Sequence, residues 1–198
     1  MRFNILFTGV FIGALLLSPL AMAAKPTEGA PKLIGTFGLW KAYAYEEKNQ
    51  PVCYMALAAH FADDKKFKNR VSYLTITHRP GENSKDVVSY ASGYNFKATS
   101  DVTAAIGTKS FDLFTMKDTA WSRDAATDHA LSAAIRKSAS VKLTGIPFGK
   151  NGAPVMDTIP LKGAAAAYAS INRACGYPSE APPAKKAKPP AAPKPAQH

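Results

Sequence analysis

The sequence predicts a single, mainly β domain of antiparallel strands with two added helices, at about 125–137 and 164–175. Three observations carry this. Short runs of alternating apolar and polar residues, bounded by turn residues, recur from Lys32 to Leu161, which is strand periodicity. Two windows break that pattern with apolar residues at spacings of three and four. The only two cysteines, Cys53 and Cys175, lie toward opposite ends of the patterned region, so one cross-link would clasp it.

In chain order, residues 24–32 are a short polar lead-in containing prolines. From Thr36 to Tyr45, Phe37, Leu39, Lys41, Tyr43 and Tyr45 alternate with Trp40, Ala42 and Ala44, the pattern of a strand. The turn chemistry of Glu46–Pro51 leads to a second strand over Val52–Ala59, completing a first hairpin. Charged residues follow from His60 to Arg70. The β-branched and aromatic content of Val71–Thr77 marks another strand, with a further one over Asp86–Gly93. Asp101–Ile106 and Ser110–Thr115 flank Gly107-Thr108 as a hairpin.

Leu131, Ala134, Ile135 and Ser138 then define a helical face, with Asp124 or Thr127 placed to cap its start and Arg136 and Lys137 in its last turn. Val141–Phe148 and Val155–Leu161 read as strands, with Pro147 and Pro160 favouring edges or strand ends. In the final alanine-rich helix, Tyr168, Ile171 and Cys175 share one stripe, so Cys175 faces the body of the domain, and Gly176 stands where a helix stops.

The first 23 residues have Arg2, an apolar run and Ala21-Met22-Ala23, the pattern of a secretory signal peptide cleaved after Ala23. The rival reading is a transmembrane anchor, but the apolar run of about 13 residues is short of the roughly 18 to 20 that span a bilayer. Export favours a disulfide between Cys53 and Cys175. Closing so long a loop stabilises by roughly 5 kcal/mol on chain-entropy reasoning. A redox-active pair is the alternative, although the Cys-x-x-Cys spacing is missing. Residues 178–198, rich in Pro, Lys and Ala without a large apolar side chain, form a tail with no means to bury a core. The domain itself spans 33–177.

The formal charge is +11. In an exported protein this points to anionic envelope or host-surface material rather than nucleic acid, or to solubility alone. The candidate anionic-surface contacts are Lys65, Lys66, Lys68 and Arg70, interleaved with Phe61 and Phe67, together with Lys185, Lys186 and Lys188 of the tail. Against this stands a solvated loop whose phenylalanines fold inward. Trp121 beside Arg123 is a candidate partner contact, the rival being a tryptophan that packs the following helix onto the sheet.

His78 and Arg79 at a strand end offer a polar contact, unless His78 simply continues the strand alternation. Asp124, Asp128 and His129 resemble an acid/base cluster, but helix capping and the helix dipole account for the carboxylates. The sequence lacks zinc-binding histidine spacing, a nucleophile elbow and a glycine-rich phosphate loop. The expectation is a non-enzyme with no cofactor and no metal.

Lys32–Trp40 (KLIGTFGLW), Val52–Met55 (VCYM), Thr77–Pro80 (THRP), Gly93–Phe96 (GYNF), Phe111–Lys137, Leu161–Gly163 (LKG) and Ala174–Tyr177 (ACGY), in this order and spacing, resemble the invasion-associated locus B family of alphaproteobacterial envelope proteins. The resemblance spans Leu33–Tyr177 and implies an exported, immunoglobulin-like antiparallel β-sandwich with helical additions, without an established enzymatic activity or ligand. The chain departs from the family pattern at Leu39, where a polar residue is common, and at Ala164, where an aromatic is common. The second departure suggests looser packing of the last helix. The resulting expectation is a periplasmic or outer-surface binding module for an anionic envelope or host component. The alternative is an accessory protein docking to a protein partner of the periplasm or outer membrane.

Overall fold

The computed structural model describes residues 29–61, 67–149 and 152–178. Its strands are β1 (Lys32–Phe37), β2 (Trp40–Glu47), β3 (Gln50–Phe61), β4 (Arg70–Arg79), β5 (Ser84–Ala91), β6 (Asp101–Ile106), β7 (Lys109–Met116), β8 (Thr119–Trp121), β9 (Ser140–Gly145) and β10 (Val155–Pro160). Helix α1 (Ala125–Lys137) follows β8, and α2 (Ala164–Ala174) follows β10. The fold is mainly β with two helices, as predicted. All strands join one antiparallel sheet in the order β1-β2-β3-β4-β5-β8-β7-β6-β9-β10.

Two strands escaped the sequence reading. The run from Thr36 to Tyr45 is broken by a tight turn at Gly38-Leu39, where Gly38 takes φ 63°. Leu39 continued the apolar alternation and so hid the turn. The other strand, β8, has only three residues, too few to show a period.

The expected sandwich has two layers that belong to one continuous sheet. Arg70 on β4 and Tyr90 on β5 both reach Asp157 on the edge strand β10, so the far end of the sheet folds back over its middle. Register places Trp40, Leu57, Leu74 and Tyr90 side by side on the inner face, with Ala42, Met55, Ile76 and Val88 in the next row. All eight are buried. Leu143 and Ile159 of the returning strands join the core, and Leu131 and Ile135 of α1 and Ala167, Tyr168 and Ile171 of α2 belong to the same cluster.

Asp124 caps α1 by accepting the Thr127 N–H at 2.8 Å, and the helix begins and ends where its periodicity placed it. Cys53 and Cys175 are bonded across a separation of 122 residues, pinning the end of α2 to β3. The expected loose packing of α2 is not found. Gly163, with φ 100°, starts the helix so close to the Phe37 carbonyl that any Cβ there would collide with it. Ala164 is buried beside it, and its small side chain lets the helix sit down on the β1–β2 corner.

Candidate functional site

The strands β2 to β5 have two unlike faces. The inner face buries charge. Arg70 donates to both carboxylate oxygens of Asp157 at 2.7 Å and to the Ser92 carbonyl at 2.6 Å, while Tyr90 donates its hydroxyl to the same carboxylate. Burial and the neighbouring Asp157 raise the Tyr90 phenol far above its ordinary value, so it stays a donor.

A second inner cluster lies toward the disulfide. Asp86, at φ 65°, accepts hydrogen bonds from Tyr168 Oη at 2.6 Å and Ser132 Oγ at 3.3 Å, and pairs with His129 Nδ1 at 2.8 Å. It therefore ties β5 to both helices. Burial pushes this carboxyl up, but Tyr168, His129 and His78 outweigh it and hold Asp86 below the usual carboxylate range. The Asp86 N–H donates to His78 Nδ1 at 3.0 Å.

The outer face is aromatic. Leu33, Tyr43, Tyr54, Thr77 and Val87 form one row across β1 to β5. Lys41, Ala56, Thr75, Ser89, Trp121 and Phe114 form the next, crossing through β8 to β7. Each of these side chains is partly or fully exposed. Tyr43 and Tyr54 stack with centroids 4.9 Å apart at 15°, and Tyr45 meets Tyr54 edge-on at 6.3 Å. Partial burial, then the neighbouring Tyr43 and Tyr45, raise the Tyr54 phenol. Phe114 and Trp121 stack at 5.8 Å.

Charged pairs sit at both ends of this surface. Arg123 donates to both oxygens of Asp101 at 2.7 Å and stands over the Phe114 ring at 5.9 Å. Arg79 pairs with Glu47 beside a cleft of about 160 Å³ lined by Glu47, Gln50, Val52, Arg79, Gly81 and Glu82. The Glu47 hydrogen bond raises the Arg79 guanidinium further above its ordinary value.

The residues singled out by sequence fare unequally. Trp121 and Arg123 lie together on the aromatic face. Lys68 is exposed, whereas Lys65, Lys66, Lys185, Lys186 and Lys188 lie outside the described residues, as do the predicted signal peptide and nearly all of the tail.

Arg70 is a correction. It shares the inward parity of Ser72, Leu74 and Ile76, and its guanidinium is taken up by Asp157, so it is no surface contact. Phe67 stacks on Tyr94 at 4.8 Å, and the Arg70 guanidinium lies 4.3 Å from the Phe61 ring, so both phenylalanines are engaged with the domain. His78 is also buried, which removes it from any surface role. Asp128 accepts the Val88 N–H at 2.8 Å and Asp124 caps α1, so both carboxylates have structural partners, in line with the structural reading preferred over an acid/base cluster. Burial raises the Asp128 carboxyl against the opposing pull of that N–H.

The sequence reading missed the tyrosine surface. Its signal was the agreement in parity of Tyr43 and Tyr45 with Tyr54 once β2 and β3 are paired, which requires the hairpin register. Among the described residues, no group of three or more His, Cys, Asp or Glu side chains gathers into a metal site. No helix among them is long and apolar enough to cross a membrane.

No curated protein matches the chain. Among solved structures, the invasion associated protein B of Bartonella henselae is similar in fold, with a TM-score of 0.52 at 18% identity over 72% of this chain and 94% of that one. Residues 40–172, more than half of the sequence, match the family described as invasion associated locus B (IalB) protein. The chain thus belongs to the IalB family.

Proposed function

We propose that this chain is a non-catalytic binding module of the bacterial envelope that docks, through the aromatic outer face of its sheet, onto a protein with an apolar patch and an acidic rim. One observation carries the reading: Tyr43, Tyr45, Tyr54, Phe114 and Trp121 share one sheet face and remain partly exposed. Aromatic side chains of this kind supply large contact area at low entropic cost and are enriched at protein interfaces. The stacking of Tyr43 against Tyr54 turns ring faces toward each other, leaving edges and hydroxyls outward, which suits a protein surface better than a flat sugar ring.

Charge complementarity selects the rim. Lys41 is exposed on this face and the chain carries +11, so an acidic partner is attracted while a second copy of this chain is repelled. The disulfide accords with an oxidising compartment, and the IalB family with an envelope or secreted protein. The anionic-surface reading retains Lys68 but loses Arg70.

The test is a photo-crosslinking residue placed at Ser89, in the middle of the face, with a control at Thr158, an exposed position on β10 outside the aromatic rows. A protein adduct from Ser89 that vanishes with Trp121→Ala or Tyr54→Ala, and is absent from Thr158, supports the proposal. Equal adducts from both positions, or binding to anionic lipid vesicles that ignores both substitutions, overturns it.

A further inference from the structure

The inner cluster beside the disulfide is built around an imidazole whose Nδ1 serves as a hydrogen-bond acceptor. His78 is fully buried, pairs in register with Cys53, and its carbonyl lies 3.8 Å from Cys175 Sγ. Tyr168 and Tyr177 meet its ring edge-on at 5.3 and 5.4 Å. Because Nδ1 accepts the Asp86 N–H, the neutral ring carries its proton on Nε2. The Asp86 Oδ1 that receives the Tyr168 hydroxyl is 4.0 Å from the same Nδ1. That distance is too long for a hydrogen bond but close enough for competition.

We propose that His78 is an acid-operated release for α2. A proton on Nδ1 removes the acceptor of the Asp86 N–H and makes the imidazolium compete with Tyr168 for Asp86 Oδ1. Helix α2 then loosens from the sheet while the Cys53–Cys175 bond keeps it tethered.

The groups around the ring decide the sign. Burial favours the neutral ring and pushes its titration down; Asp86 and Asn172 pull it up, and Lys85 pushes it down, with a net lowering. From α1, His129 engages Asp86 Oδ2 and Arg136 lies 4.0 Å from the Tyr168 ring centroid; Asp128 of the same helix holds the Val88 N–H. From β5, Lys85 stands over Tyr177 at 4.8 Å. The folded ring thus binds its proton less readily than the released one. The stability of the docked helix is fully present above the ordinary imidazole value and falls as pH drops below it.

Hydrogen exchange of the full, oxidised chain between pH 8 and 5, corrected for intrinsic rates, tests this. Opening of α2 is expected to increase by up to about tenfold per pH unit below about pH 6.5, levelling off once the folded ring itself is protonated, with β6, β7 and β9 unaffected. In His78→Gln, whose side-chain carbonyl can accept the Asp86 N–H but cannot titrate, that slope is lost; in His129→Gln it remains. A slope that persists in His78→Gln, or α2 exchange in the unaltered chain that ignores pH, overturns the proposal. Should His78→Gln fail to fold, imidazole proton NMR of the unaltered chain decides. His78 titrating in step with α2 amides supports the release, and His78 titrating without any α2 change refutes it.

Discussion

The two faces of β2 to β5, continued on the outside by β8, do different work. The inner face holds Arg70, His78 and Asp86 among its apolar residues, while the outer face presents Tyr43, Tyr45, Tyr54 and Trp121. Buried charge is tolerated inside because each group is tied to a distant part of the chain: Arg70 to Asp157 on β10, and Asp86 to α1 and α2. Those pairs specify which elements close over the sheet. Outside, the rings touch chiefly their cross-strand neighbours, so they contribute local packing and leave area for a partner. The inner face holds the fold together, and the outer face contributes less to it.

Breaking the inner face should cost most. Arg70→Met leaves the Asp157 carboxylate buried without its cationic partner, held only by Tyr90, with an expected loss of about 3–5 kcal/mol in urea unfolding. Adding Asp157→Leu should return much of it, because the cost lies in the stranded charge. Removing the clasp with Cys53→Ser and Cys175→Ser should cost roughly 2–5 kcal/mol and expose α2 to exchange before the sheet. Tyr168→Phe should cost about 1–3 kcal/mol, the penalty for taking one donor from the buried Asp86. On the outer face, Trp121→Ala or Tyr54→Ala should change stability by only about 1 kcal/mol, since each loses a partly exposed cross-strand pair.

Acid sharpens the same contrast. His78 and Asp86 both titrate lower when folded, so each binds protons more readily in the unfolded chain and stability falls as pH drops. His78 acts first, below the ordinary imidazole value, and Asp86 at the carboxylate end of the scale. Asp128, raised by burial, works in the opposite direction and softens the acid loss at low pH. A melting curve of Tm against pH should therefore decline in two stages.

The legible parts of the sequence were those with a local signal. α1 announced itself through the Asp124 cap and the spacing of Leu131, Ala134 and Ile135. The disulfide followed from having two cysteines and an inward stripe on α2. Alternation found β3 to β5 but did not say which parity lies inside. Polar Ser72, His78 and Asp86 share the buried parity, whereas Tyr43 and Tyr54 share the open one. Arg70 read as part of a basic loop because its partner Asp157 lies 87 residues away, and no local pattern links them. The aromatic outer face was half visible, through Trp121 and Arg123, and its tyrosine half appears only with the pairing of β2 and β3.

The most direct test pairs two readings on one variant, Tyr54→Ala with Trp121→Ala, taking Tm and recovery of the envelope partner crosslinked from Ser89. Binding through the outer face requires that recovery be lost while Tm stays within a few degrees of the parent. A Tm that falls as far as that of Arg70→Met, or full recovery of the partner, would contradict a division of labour between the two faces.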